Sequence, residues 1–230
     1  MSEKKIQLEY RLKQGDVARY RTTVEADTEV MAEGKTNIVS SIMEMITTQT
    51  VKSIFPDDGI KLEVSIDSAS LKRNGEEIPV PYAGQVMPVK MKKNGEIFQM
   101  SENGSGGQTH PSFPDTPVGK GDTWAGESKL EIPGSDKTVI LKTDHILENF
   151  EHIKGYDCVK INVSSPETVI PLQENITQTM TVTGTTYFAY NEGKLIKSIV
   201  ETDTSMKVPS GHNVNSFTKM IIELDGNNRF

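Results

Sequence analysis

Hydrophobic and polar residues alternate with a period of two along several segments of the chain. Residues 60–66 read Ile-Lys-Leu-Glu-Val-Ser-Ile, and Val159, Ile161 and Val163 alternate with polar residues in the same way. Successive side chains of a strand point to opposite faces of a sheet. Each segment therefore predicts a strand with one apolar and one polar face.

The longest alternating segment runs over residues 176–190. Its even positions are largely apolar, whereas every odd position over 177–185 is threonine. Residues 191–193, Asn-Glu-Gly, predict a turn, so the following segment 195–208 should complete a hairpin. The alternation over 214–224 predicts one further returning strand.

No segment shows a convincing helical period. The best helix candidate covers residues 82–92, but Pro88 interrupts it. Threonine, valine and isoleucine together number 60, against 17 for alanine and leucine. Side chains branched at Cβ fit a pleated sheet better than a helix, so the composition also predicts a β fold with little helix.

Short turn motifs recur in the same order in the two halves of the chain. The repeated motifs are Gly15-Asp16 and Gly121-Asp122, Gly59 and Gly155, and Gly95 and Gly193, which lie 106, 96 and 98 residues apart. A unit of this size has to pack on its copy to bury its apolar face. We therefore predict two similar halves, residues 1–108 and 109–230. Residues 101–117, rich in Gly, Ser and Pro, should form an exposed linker between them.

These patterns predict an all-β fold in which two similar antiparallel halves form one extended, strongly curved sheet or open barrel. The alternative is a pair of separate small β-sandwiches. One shared sheet is favoured because it removes two of the edges that separate sheets would expose.

The segments that carry the turn motifs resemble a known family. They are the opening 8–20, the stretch 113–124 with its Pro-Val-x-x-Gly-Asp-x-Trp motif, and the short segments 184–188 and 193–195. They resemble uncharacterised, β-rich bacterial proteins, a domain of unknown function, many of whose members look like cell-envelope proteins or lipoproteins. The arrangement is more loosely similar to curved-sheet lipoprotein carriers of the LolA type. The resemblance brings no catalytic or binding residues with it. It implies a cell-envelope location if a leader has been removed, whereas Met1 as the native start would indicate the cytoplasm.

Charge and chemistry exclude several functions. The net charge is −7 with lysine and arginine spread along the chain, so nucleic acid is not an expected partner. The sequence contains no run of 18 apolar residues, so we predict no transmembrane helix. The four histidines and the single Cys158 lack metal-binding spacing, and no Gly-x-Ser-x-Gly motif is present. We expect no cofactor, no metal and no enzymatic activity, with Cys158 as a small buried hydrophobe. Trp124 should pack at the junction of the halves.

Two features of the sequence are compatible with both a structural and a functional interpretation. The Gly-Asp pairs fit turns better than a cation site, because neither loop offers several oxygen ligands. The ten methionines are either core filling or the lining of an apolar, concave face. The candidate lining is Met43, Met45, Met87, Met91, Phe98, Met180 and Phe188. The predicted function is a non-enzymatic binding module or carrier for a lipid-like or peptide ligand. The alternative is an interaction module that acts through sheet edges or a dimer face.

Overall fold

The structure is a computed structural model and consists of β-strands joined by turns. It describes residues 4–32, 34–56, 59–100, 111–131, 138–173, 176–208 and 212–226. The strands are β1 (Val17–Ala32), β2 (Lys35–Ile54), β3 (Gly59–Arg73), β4 (Glu76–Ile78), β5 (Val86–Lys92), β6 (Ile97–Met100), β7 (Thr123–Glu131), β8 (Thr138–Ile153), β9 (Tyr156–Ser164), β10 (Thr168–Gln173), β11 (Ile176–Ala189), β12 (Lys194–Lys207) and β13 (Asn213–Leu224).

All thirteen strands belong to one antiparallel sheet that does not close into a barrel. Its order is β6-β5-β3-β2-β1-β13-β12-β11-β9-β8-β7, with β4 beside β3 and β10 beside β11. The prediction of a single all-β sheet is confirmed, and the alternative of two separate sandwiches is wrong. The helix candidate is also wrong: residues 81–84 form a turn, and residues 86–92 form β5.

The two halves of the chain pass through the same sequence of strand pairings. In the first half β1, β2, β3, β5 and β6 follow one another as neighbours, and in the second half β7, β8, β9, β11 and β12 do the same. Strand β13 has no counterpart among the described strands of the first half. It pairs with β12 on one side and with β1 on the other, and so joins the halves into one sheet.

The two Gly-Asp pairs form matching turns. Gly15 N donates to Val51 O at 2.9 Å, and Lys13 N donates to the Asp16 carboxylate at 2.7 Å. In the second half Gly121 N donates to Leu147 O at 2.8 Å, and Gly119 N donates to the Asp122 carboxylate at 2.9 Å. Both glycines have a positive φ, 90° and 86°, which a side chain would disfavour. The pairs are therefore structural turns.

The sheet has an apolar inner face. We call inner the face that carries Leu62 and Val89, which are opposed on β3 and β5, and Leu147 and Ile161, which are opposed on β8 and β9. Directly opposed residues of antiparallel strands lie on the same face. Followed from strand to strand, these pairings also place Phe188 of β11 on the inner face. The opposite surface is the outer face.

The N-terminal segment, residues 4–16, packs on the inner face at one end of the sheet. Ile6 exchanges two backbone hydrogen bonds of 2.9 Å with Val118, and Tyr10 N donates to Lys93 O at 2.7 Å. The Tyr10 ring lies 5.7 Å from the Phe113 ring and 5.1 Å from the Phe188 ring. All three aromatic residues are buried in the main core cluster.

The structure corrects the prediction that residues 101–117 form an exposed linker. Residues 101–110 lie outside the described part of the chain. Phe113 is buried, and its backbone N donates to Asn94 O at 2.8 Å. A large aromatic side chain gains most by leaving water, and this outweighs the polar character of the residues around it.

The position of the core shows how strongly the sheet curves. Strands β5 and β8 are eight positions apart in the strand order, which corresponds to about 38 Å in a flat sheet. Met91 of β5 and Leu147 of β8 are nevertheless fully buried in the same cluster, around the N-terminal segment. The sheet therefore curves toward its inner face at this end.

Candidate ligand-binding face

Beyond the core, the inner face continues as an apolar strip across the middle of the sheet. We define this strip by four residues that the strand register places side by side: Met43 of β2, Val24 of β1, Met220 of β13 and Val200 of β12. Gly184 of β11 and Val163 of β9 extend the same row. Valine and methionine thus form a continuous apolar surface over four neighbouring strands.

The strip is shielded although the described chain places no second layer of structure on it. Met43 is half-buried, whereas its neighbours on β2 that point to the outer face, Ile42 and Glu44, are exposed, Ile42 by 47%. The described strands all belong to the one sheet, so the shielding comes from neighbouring side chains and the curvature of the sheet. This combination defines a partly desolvated apolar surface that a ligand can reach.

Six of the seven residues predicted to line a binding face lie on the inner face. Met43, Met45, Met87 and Met180 are half-buried there, and Met91 and Phe188 are fully buried there. Phe98 does not join them: it lies at an irregularity in the pairing of edge strand β6 and is 52% exposed.

The structure does not gather the six residues into one pocket. Met91 and Phe188 belong to the packed core, where the N-terminal segment covers them. Met43 and Met45 lie two residues apart on β2, beside Val24. Met180 lies opposite Thr204, in a more polar part of the inner face. Among the predicted residues, only the two on β2 belong to or adjoin the strip.

Sequence reasoning missed Val24, Val200 and Met220, which complete the strip. Their strands alternate, so the sequence carries the signal that each has an apolar face. The missing information was the pairing of β13 with β1, which joins residues such as Val24 and Met220 that lie far apart in the sequence, together with its pairing to β12 on the other side.

Trp124 and His145 form the polar end of the inner face, at the edge strand β7. Their rings stack with centroids 5.4 Å apart, and Trp124 Nε1 donates to Ser112 O at 3.2 Å. Thr143 Oγ1 and His145 Nε2 are hydrogen-bonded at 2.9 Å. Burial lowers the pKa of His145 to about 4, so the imidazole is neutral near pH 7.

Cys158 is buried in a second, smaller core cluster with Tyr20 and Leu195. Burial, together with the charges of Glu192 and Asp157, raises the pKa of the thiol to about 11. The thiol therefore stays protonated and shielded at neutral pH, which makes it a poor nucleophile.

The described side chains include no group of three or more His, Cys, Asp or Glu residues arranged to hold a metal ion. The part of the chain that the structure describes also contains no helix with the length and hydrophobicity needed to cross a bilayer.

Comparison with solved structures identifies similar folds at low sequence identity. The chain is similar to lipovitellin, in a structure that describes lipid–protein interactions in that protein, with a TM-score of 0.52 and 10% identity. The match covers 94% of this chain and 26% of the lipovitellin chain, so the chain spans about a quarter of that protein. At this identity the likeness shows the fold alone.

Two bacterial proteins show weaker likeness. One is a protein with a YmcC-like fold from Bacteroides fragilis, with a TM-score of 0.32, 11% identity and coverage of 93% of this chain and 97% of that one. The other is a DUF1329 family protein from Desulfovibrio piger, with a TM-score of 0.18, 13% identity and coverage of 90% and 87%. No protein-family model matches the chain, and no match is found among curated proteins.

Proposed function

We propose that this protein is a non-enzymatic binding module for an apolar ligand, lipid-like or peptide, which it holds on the inner face of the sheet. The observation that carries the proposal is the strip of Met43, Val24, Met220 and Val200, which is apolar, half-buried and continuous across four strands. Contiguous apolar surface of this kind marks ligand or partner sites in proteins.

The chemistry of the strip suits a ligand of variable shape. Methionine side chains are flexible and polarizable, so Met43 and Met220 can adapt to different apolar groups. Binding would be driven by burial of apolar area, at about 25 cal/mol per Å², and would depend little on salt. His145 of β8 lies opposite Val163 of β9, five positions from Cys158 on that strand, so these two groups with shifted pKa values do not form a catalytic pair.

Two likenesses support an apolar cargo. The similar lipovitellin structure concerns a protein that contacts lipid. The looser resemblance of the sequence to LolA-type carriers leads to the same class of ligand. Both likenesses are analogies, whereas the strip supplies the physical reason to expect binding of an apolar ligand.

Titration with a fluorescent fatty acid tests the proposal, with a pair of adjacent variants on β2. Met43→Gln places a polar group in the strip, whereas Ile42→Gln changes the exposed neighbour on the outer face. We expect the wild-type protein to bind the probe, Met43→Gln to bind it several-fold more weakly, and Ile42→Gln to bind like wild type. Circular dichroism checks that both variants keep the fold. A wild-type protein that binds no apolar probe, or equal effects of the two variants, would contradict the proposal.

A second candidate function is an interaction module, and the open edges of the sheet favour it. Strands β6 and β7 each pair on one side only within the described sheet, and edge strands can pair with another chain. Native mass spectrometry separates the candidates, because an interaction module would appear as an oligomer without ligand, whereas a carrier would retain bound apolar molecules.

A further inference from the structure

The outer face has a concavity whose lining differs in chemistry from the apolar strip. It has a volume of about 740 Å³ and crosses five strands, β2, β1, β13, β12 and β11. Phe217 of β13 is one of its lining residues and is 40% exposed. The register places Phe217 directly between Asp27 of β1 and Asp203 of β12. An aromatic ring is thus presented to solvent with a carboxylate on each side.

The concavity is strongly acidic. Its described lining contains four carboxylates and neither lysine, arginine nor histidine; the carboxylates are Asp27, Glu29, Glu167 and Asp203. None of the four forms an ion pair with a described residue, whereas elsewhere on the outer face Lys219 pairs with Glu201 at 3.0 Å. The negative field of the concavity therefore remains available to a positively charged ligand.

The arrangement does not suit a metal ion. A divalent cation needs several oxygen ligands at 2.0–2.6 Å around one point. The Phe217 ring separates Asp27 from Asp203, and Asp27 Oδ1 already accepts a 2.6 Å hydrogen bond from Ser40 Oγ. The ligand must instead be large enough to contact the ring and both carboxylates together.

We infer that this concavity binds an organic cation, with the ammonium group over the Phe217 ring and between Asp27 and Asp203. The face of an aromatic ring attracts a cation, and the carboxylates on both sides add to that attraction. Ile38, which lines the concavity and is 60% exposed, offers an apolar contact for the rest of the ligand. The acidic lining disfavours a phosphate beside the ammonium, so an organic cation without a phosphate fits better than a phosphocholine headgroup. This site is on the opposite face from the strip and does not rest on the proposed function.

Choline and its neutral isostere, 3,3-dimethyl-1-butanol, are the probes that test the inference by isothermal titration calorimetry on the full chain. We expect choline to bind at least ten-fold more tightly than the isostere, and to bind more weakly as salt is added. Phosphocholine should bind more weakly than choline. Equal binding of choline and the isostere, or no binding of choline at millimolar concentration, would overturn the inference. Equal binding of phosphocholine would overturn the assignment to an organic cation without a phosphate.

Three variants locate the site. Phe217→Leu keeps an apolar side chain but removes the ring, and Asp203→Asn removes one charge; each should weaken choline binding about ten-fold. Glu44→Gln removes a carboxylate that is exposed on the outer face of β2 and does not line the concavity, and it should leave binding unchanged. All three positions are exposed, so the fold should persist, as circular dichroism can check. Binding that is insensitive to Phe217→Leu, or equally sensitive to Glu44→Gln, would place choline elsewhere and overturn the inference.

Discussion

At the scale of single residues, His145 shows how burial on the inner face changes the ionisation of a side chain. Its ring is stacked on Trp124 and hydrogen-bonded to Thr143, in a site that is mostly shielded from water. Burial disfavours the charged imidazolium, and this lowers the pKa from 6.5 to about 4. The folded protein therefore resists a proton that the unfolded chain accepts.

The stability of the protein should fall in mildly acidic solution because of His145. The unfolded chain binds a proton at this position below about pH 6.5, and the folded chain does so only below about pH 4. The free energy of unfolding should be highest above pH 6.5 and fall by up to about 3 kcal/mol as the pH drops toward 4. Urea denaturation at a series of pH values measures this. His145→Gln should flatten the slope, whereas His152→Gln, at an exposed histidine, should retain most of it. A slope that His145→Gln leaves unchanged would contradict the assignment.

At the scale of elements, β11 combines a regular alternation with one position, Gly184, where neighbouring strands would crowd a side chain. A Cβ atom on Gly184 would lie 2.5 Å from Ile199 O of β12 and 3.1 Å from Val163 Cγ1 of β9. The glycine therefore lets the backbone of β12 approach that of β11 and leaves room for the Val163 side chain of β9, at the end of the strip.

Gly184→Ala should destabilise the protein by about 1–3 kcal/mol, because the added methyl group must push β12 or β9 away. Thr183→Ala is the matched control at the exposed neighbouring position and should change stability by about 0.5 kcal/mol or less. Thermal denaturation of both variants is the measurement. A Gly184→Ala variant with the wild-type melting temperature would show that the strands have room for a side chain.

At the scale of the whole molecule, the core ties the two halves together. The main cluster takes Val89 and Met91 from the first half and Leu147 and Phe188 from the second, with Tyr10 of the N-terminal segment packed against Phe188. Strand β13 adds twelve residues of pairing with β1. The described residues of the two halves therefore share one core at this end of the sheet.

The protein should therefore unfold as one cooperative unit. The fluorescence of Trp124, the single tryptophan, reports on the second half, and far-ultraviolet circular dichroism reports on all strands. The two signals should give the same transition midpoint in urea. The isolated fragment 1–108 should not fold, since Val89 and Met91 would lose the partners that bury them. Two separate transitions, or a folded fragment, would show that the halves are independent.

Much of the architecture could be predicted from the sequence because its signals are local. The alternation over 176–190 predicted β11 to within one residue, and the alternation over 60–66 predicted the first part of β3, which continues to Arg73. The Gly-Asp pairs predicted turns, since a glycine with positive φ and a side chain that binds its own backbone act within a few residues. The inner face of each strand followed from the same period of two.

The candidate site was predicted only in part, because it depends on which strands become neighbours. The sequence pointed to methionine as the unusual component, and six of the seven chosen residues lie on the inner face. It did not separate Met91 and Phe188, which the N-terminal segment covers, from Met43, which it leaves accessible. It also gave no sign that Phe217 would lie between Asp27 and Asp203, residues from three strands.

By itself, the sequence determined the all-β class, the alternating strands and the matching turns of the two halves. These depend on backbone preferences and on a period of two, which act over a few residues. Only the tertiary structure decided that β13 would pair with both β1 and β12 and so join the halves. It also decided that Phe113 would be buried, and that the apolar strip and the acidic concavity would form on opposite faces. Those outcomes depend on long-range pairing and on the curvature of the sheet, since burial is a property of the assembled surface rather than of any one segment.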